Sequence, residues 1–239
     1  MTDRIIGPDI SFYQDDNATP LGVDFEKMRA GGAGFVIIRA GQNNWVDSDF
    51  KTNWANAKAA GLPRGCYWFY DSREDPKKQA ELWVATLGGD LGELPLWCDF
   101  EDTYGGAFGG WRNWYNFIVR LQELLPNKEI GVYTGYYYWK EYTLGKAISI
   151  QSLNWFKQFP LWIANYKTNS PLVPLPWSEW TLWQYTDKGD GKSFGVESLN
   201  IDMNYFNGDG DAFRARFGLG EDDGSHGAVN RFVVRVKVV

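Results

Sequence analysis

Short apolar runs bounded by turn residues recur along the chain, at 4–10, 35–40, 65–70, 94–100, 130–133, 161–165, 181–185 and 199–205. In the first half they alternate with segments whose apolar residues fall at helical spacing: 50–60 (FKTNWANAKAA), 76–87 (PKKQAELWVATL) and 111–125 (WRNWYNFIVRLQELL). The alternation predicts strands joined by crossover helices in a parallel sheet, with Pro76 at a first helical position, where its missing N–H costs nothing. Eight strand-like runs predict that the sheet closes into an α/β barrel. After the sixth run the connections, such as TNSPLVPLPWSE and TDKGDGKSFGVES, are too rich in Pro, Gly and Ser for full helices, so the barrel is expected to carry fewer than eight helices.

The pattern changes after the last run. Residues 218–228 (GLGEDDGSHGA) read as a linker, and the run RFVVRVKVV (231–239), opened by Arg231 and closed by Val239, alternates like a strand. The expected organisation is a barrel over 1–217, a linker over 218–228 and a terminal strand within 229–239. A lone strand cannot bury itself, so this one adds to the barrel, pairs with another chain, or is the stub of a wall-binding module. Oligomeric state is open.

A chain of 239 residues with 44% hydrophobic content buries enough surface for one such domain. Its net charge of -6 is the wrong sign for a phosphate-neutralising surface, so no nucleic-acid partner is expected. No apolar stretch is long enough for a membrane span, and the start, MTDRIIGPDIS, has no basic, apolar and cleavage regions in succession. A soluble protein without an export signal is expected. Cys66 and Cys98 sit inside apolar runs and read as reduced, buried thiols. The 13 Trp, 13 Tyr and 15 Phe exceed what a core needs and lean towards a carbohydrate ligand, whose C–H faces suit flat rings.

The chemical signal lies in LPLWCDFED (94–102), where an apolar run ends in Asp99, Phe100 and Glu101. Alternate residues of a strand share a face, so Asp99 and Glu101 point together, at the carboxyl end of a strand, where barrels place their active sites. Two carboxyls so placed do not titrate independently: one pKa rises, and that group keeps a proton for a leaving oxygen. Glycosidic cleavage needs that proton and a negative group near the oxocarbenium-like centre. Asp9 ends the first run (IIGPDIS) and Asp202 lies in the last (LNIDMNYF); in a closed barrel these strands are neighbours. Four acids from three strands then face one cleft, a costly cluster that points to function.

Other chemistries lack residues. The single histidine, His226, lies in the linker, which leaves no His-assisted nucleophile and no His-rich metal site. The acidic NGDGD at 207–211 lacks the spacing of an EF-hand loop, and no GxGxxG or P-loop pattern follows a strand. Neither metal nor cofactor is expected.

Eight motifs in order, GPDISFYQ, FVIIRAG, GCYWFYD, LWCDFED, GVYTGYYYW, PLWIANY, LWQYT and NIDMNYF, make the chain resemble the glycoside hydrolase family 25 lysozymes, the Chalaropsis type of phage endolysins, bacterial autolysins and some fungi. The resemblance implies an irregular, flattened single-domain β/α (TIM-like) barrel and retaining hydrolysis of the β-1,4 bond from N-acetylmuramic acid to N-acetylglucosamine in peptidoglycan. It implies Glu101 as acid/base and Asp99 as second carboxylate, either nucleophile or stabiliser of an intermediate formed by the substrate's N-acetyl group. Asp9 and Asp202 resemble the supporting acids, and Tyr67 the tyrosine of the third strand. Arg39, Tyr133, Trp162 and Gln184 are expected to bind substrate. The family often has Tyr-His-Phe where this chain has Tyr67, Trp68 and Phe69, and Trp68 is expected on the outer face. A wall-binding barrel without activity and a glycosidase for chitin are the competing readings. As a phage lysin the protein would stay in the host cytoplasm until released to the wall; an exported autolysin would act outside the cell.

Overall fold

The computed structural model describes residues 4–15, 18–19, 22–102, 110–143 and 148–220. The terminal strand-like run, and the linker beyond its first three residues, lie outside them. The eight expected barrel strands form: β1 (Ile6–Ile10), β2 (Val36–Gln42), β4 (Arg64–Phe69), β5 (Leu96–Phe100), β6 (Ile130–Gly135), β7 (Leu161–Ala164), β8 (Leu182–Asp190) and β9 (Asn200–Phe206). The two-residue β3 (Trp45–Val46) folds back on β2. The sheet runs β1-β9-β8-β7-β6-β5-β4-β2, and a parallel β1–β2 pairing, Asp9 opposite Ile37, closes it into an eight-stranded barrel.

The barrel departs from an all-parallel sheet at β9, which is antiparallel to both β1 and β8. Only residues 191–199, with one 3-10 turn, separate β8 from β9. A parallel return needs a crossover of a dozen or more residues, so the chain comes back antiparallel.

Seven α-helices form among the described residues: α1 (Phe25–Ala30), α2 (Phe50–Ala59), α3 (Pro76–Leu87), α4 (Trp111–Leu124), α5 (Tyr136–Thr143), α6 (Ile150–Trp155) and α7 (Gly210–Phe217). The anticipated three, α2 to α4, carry clear local signals. Asp75 caps the backbone N–H groups of Lys77 and Lys78 ahead of Pro76, and Gly88 ends α3 in the left-handed region at φ 59°. Trp114, Phe117, Ile118 and Leu121 make the buried stripe of α4. No helix among the described residues is long and apolar enough to cross a membrane.

Strand alternation divides the apolar side chains into two cores. Outside the barrel, Ile38, Cys66, Trp68, Cys98, Phe100, Val132 and Ile163 pack against the helices. Trp68 thus faces away from the interior, as expected, and Cys66 and Cys98 are free, buried thiols. Inside, Phe35, Ile37, Leu94, Trp97, Tyr133, Trp162, Leu182 and Phe206 fill the lumen. Large rings fit there because the facing strands carry no side chain at two places. A Cβ on Gly131 would lie 2.4 Å from the Trp97 ring, and one on Gly7 would lie 2.4 Å from the Phe35 carbonyl and 2.6 Å from its ring.

The acid-rich stretch at 207–211 starts a helix that the hydrophobic pattern did not reveal. Asp209 accepts the Ala212 N–H at 2.9 Å, Asp211 pairs with Arg214, and Gly218 caps the end at φ 63°. This helix, α7, turns Phe213 onto Phe35 and Phe206, with ring centroids 5.4 and 5.1 Å apart. One end of the barrel is thereby plugged with aromatic rings. The opposite end, where β2 and β4 to β7 finish, stays open.

Candidate active site

The open end is built on β5. Phe100 faces outward, stacked on Trp114 at 4.7 Å and edge-on to Tyr70 at 5.4 Å. Its carbonyl accepts the Thr134 hydroxyl at 2.7 Å, and the Asp99 carbonyl accepts the Tyr70 N–H at 3.1 Å. With Phe100 anchored outside, its neighbours on either side must turn inward. Asp99 and Glu101 accordingly line one cavity of about 210 Å³, with Asp9 from β1 and Asp202 from β9. The β1–β9 ladder places Asp9 directly opposite Asp202. Arg39, Tyr67, Tyr133, Trp162 and Gln184 line the same cavity, so every site residue named from the sequence converges there.

A continuous hydrogen-bond network holds these groups. Tyr133 Oη lies 3.0 Å from Glu101 Oε2 and 2.9 Å from Gln184 Oε1. Gln184 Oε1 also accepts from Tyr166 Oη at 2.6 Å, while Gln184 Nε2 donates to Asp9 Oδ2 at 2.9 Å. Asn204 Nδ2 donates to the same Asp9 oxygen at 2.8 Å and to the Gly7 carbonyl at 3.1 Å, and its Oδ1 accepts the Trp162 indole N–H at 2.7 Å. Trp162 is therefore a floor rather than an open platform: it is 1% exposed and packs on Tyr133 at 4.4 Å and Trp97 at 5.7 Å.

The Tyr133 hydroxyl has one proton for two acceptors. When Glu101 is protonated, it donates to Tyr133, which donates on to Gln184. When Glu101 ionises, Tyr133 turns its proton back to the carboxylate. Both charge states of Glu101 thus keep a partner.

Burial dominates the electrostatics. Asp9 is pushed up to about 6 by desolvation, against the pull of the Asn204 and Gln184 donors. Asp99 is raised well above the usual carboxylate range by burial, with Glu101 and Asp9 adding to the rise and Arg39 opposing it. Its Oδ1 is buried with no partner among the described residues. Glu101, at the rim, rises to about 7 through desolvation by the cleft walls and the nearby Asp9 and Asp102, while the Tyr133 bond opposes the rise. Asp202 rises to about 8 by burial and by Asp9, Asp187 and Glu101. The cleft therefore stores protons near neutrality, as general acid catalysis requires.

Three contributors escaped the sequence reading: Asn204, Tyr166 and Tyr13. Asn204 lies two residues beyond Asp202 in NIDMNYF, so the alternation that selects one selects the other. Tyr166 ends the PLWIANY motif, just past β7, and Tyr13 lines the rim from a 3-10 turn (Phe12–Gln14) after β1. Neither has a periodic signal.

Comparison with known proteins agrees with this geometry. The family model described as glycosyl hydrolases family 25 matches residues 8–194. Lysozyme M1 of Streptomyces globisporus is 27% identical over 218 residues, covering 87% of this chain and 69% of that protein. The crystal structure of the bacterial lysozyme from Streptomyces coelicolor superposes with a TM-score of 0.73 at 26% identity, over 92% of this chain and 100% of the other. The muramidase from Trichobolus zukalii gives a TM-score of 0.70 at 29% identity, over 89% and 98%.

Proposed function

The chain belongs to the glycosyl hydrolases of family 25, and we propose that it is a muramidase, hydrolysing the β-1,4 bond from N-acetylmuramic acid to N-acetylglucosamine in bacterial peptidoglycan with retained configuration. The observation that carries this reading is the convergence of Asp99 and Glu101, two residues apart, with Asp9 and Asp202 in one cavity.

Glu101 is the proton donor. With its pKa near 7 it is protonated in mildly acidic or neutral medium, and its rim position gives it access to the oxygen of a scissile bond. As the C1–O bond breaks, Glu101 protonates the departing sugar oxygen, and the carbonyl oxygen of the neighbouring acetamido group attacks C1. The Asp99 carboxyl, on the cavity wall beside Glu101, receives the acetamido N–H. A carboxylate costly to ionise in the empty cleft gains its compensating charge as that nitrogen turns positive, so the interaction is strongest in the transition state. Water then adds to C1 from the side vacated by the leaving group, and the bond between C1 and the acetamido oxygen breaks, which restores the acetamido group. The Glu101 carboxylate accepts the water's proton, and the two inversions together retain configuration. Asp9, fixed by Gln184 and Asn204 and raised only to about 6, keeps the cleft negative around the developing cation, while Asp202, raised to about 8, holds a proton beside it. Tyr67 and Tyr133 line it beside them.

The test is digestion of purified peptidoglycan followed by mass spectrometry of the products, with chitin oligomers in parallel. Muramic acid at the new reducing ends, chitin left intact and loss of turnover in a folded Glu101→Gln variant are the expected results. N-acetylglucosamine at the reducing ends, or full activity in that variant, refutes the reading.

A further inference from the structure

Arg39 is an unusual tenant of this cleft. It is the one basic side chain lining the cavity, against the four carboxyls of Asp9, Asp99, Glu101 and Asp202. It is also 4% exposed, and a guanidinium removed from water persists only if its charge is compensated. Part of the compensation is Asp47, whose Oδ2 accepts from Arg39 Nε at 2.8 Å and from the Phe12 N–H at 3.1 Å. Asp47 Oδ1 accepts the Asp49 N–H at 3.1 Å, so the anchor is itself held on two sides. The rest comes from three rings: Phe12, Tyr13 and Trp45 have their centroids 4.8, 5.3 and 5.3 Å from the Arg39 guanidinium carbon. Arg39 Nη1 reaches Gln42 at 3.4 Å, whereas Nη2 is buried with no partner among the described residues. Arg39 lines the cavity and Asp47 does not. The pair therefore presents its positive end to the acids.

We propose that Arg39, pinned by Asp47 and packed among Phe12, Tyr13 and Trp45, is a positioning residue that acts through Asp99, supplying the countercharge that lets Asp99 ionise beside Glu101. The groups around Asp99 are Cys98, Glu101 and Asp102 on its own segment, Asp9 from β1, Arg39 from β2, Tyr67 from β4, Tyr133 from β6, Tyr138 from α5 and Asp202 from β9. Arg39 alone among them is cationic. It lowers the pKa of Asp99, against the burial and the neighbouring acids that raise it. The positive charge thus draws Asp99 towards the anion, while Glu101, raised to about 7, holds the proton it donates. This division rests on the muramidase reading, in which Asp99 must meet a developing cation while Glu101 donates.

The test is the pH profile of kcat/KM for peptidoglycan in Arg39→Met, Arg39→Lys and Asp47→Asn, together with carboxyl 13C titration of Asp99 by NMR, which needs no turnover. In Arg39→Met the acidic limb and the Asp99 titration move up together by about one pH unit, a loss of about tenfold at a fixed pH on that limb. Arg39→Lys brings both back towards the wild-type position. Asp47→Asn, which removes the anion that offsets the guanidinium and keeps the guanidinium's own charge, moves both downward. Lost packing alone lowers kcat at every pH without moving the limb, so a stationary limb and an unchanged Asp99 titration in folded variants overturn the proposal. Should Arg39→Met fail to fold, Asp47→Asn and Arg39→Lys still decide it, since an unmoved Asp99 in the first or a Met-like shift in the second contradicts a charge effect. Failure of the muramidase reading is separate: wild-type protein then leaves peptidoglycan intact while the NMR titration still reports on Arg39.

Discussion

Replacing Asp9 by asparagine should stabilise the protein at neutral pH and not at acid pH, while impairing catalysis. Asp9 is 6% exposed and shares its Oδ2 between the donors of Gln184 and Asn204. Asparagine keeps one carbonyl oxygen for both donors and removes the charge. The carboxyl is raised from 3.8 to about 6 in the folded protein, so between these values the native state holds a proton that the unfolded chain has released. Stability then falls as pH rises through this window, because the native state binds more protons than the unfolded one. The cost of ionising Asp9 in place is fully absent below the lower value and fully developed above the upper one. Slightly more than two pH units at about 1.4 kcal/mol each give about 3 kcal/mol. Urea denaturation of wild type and Asp9→Asn at pH 4, 6 and 8 measures it directly. The two proteins should nearly coincide at pH 4, and the variant should lead by about 3 kcal/mol at pH 8 with an unchanged m-value. A constant difference across that range, or a variant less stable at pH 8, refutes the assignment of a buried, high-pKa carboxyl to Asp9.

Because Glu101 is raised to about 7 and acts in its protonated form, the basic limb of the kcat/KM profile should fall with a midpoint near that value; a midpoint near 4.5 in a pH series would show that the acid is not desolvated. Phe100→Ala removes the ring that packs on Trp114 and Tyr70, with an expected loss of about 3–5 kcal/mol in denaturation. It should also lower kcat more than it raises KM in steady-state assays, since the carboxyls on either side lose their fixed direction. Gly131→Ala puts a methyl 2.4 Å from the Trp97 ring and should cost about 1–3 kcal/mol, read as a drop in Tm together with a change in tryptophan fluorescence.

Much of the barrel and the paired acids was legible from pattern alone. The strands were visible because each is a short apolar run with turn residues at its ends, and α2 to α4 because their stripes repeat at helical spacing. The weaker elements were not. The α5 segment, YYYWKEYT, is aromatic along most of its length and has no clear polar face, and α7 is held by Phe213 and Phe217 entering the barrel rather than by its own periodicity. The acid-rich stretch ahead of α7 serves as its cap, through Asp209, and composition alone does not distinguish a cap from a loop.

By itself the amino-acid order determines which side chains share a face: Asp99 with Glu101, and Asp202 with Asn204, because the two-residue repeat of a strand is a local property of the backbone. What only the tertiary structure decided is which faces meet and what surrounds them. Closure of β1 on β2, and the antiparallel return of β9, set Asp9 opposite Asp202. The joining of Gln184, Asn204 and Tyr166 into one network depends on strands far apart in the chain. The proton affinities of the cleft belong to this second level, since desolvation and the Coulomb field of neighbouring strands exist only once the barrel has closed and excluded water.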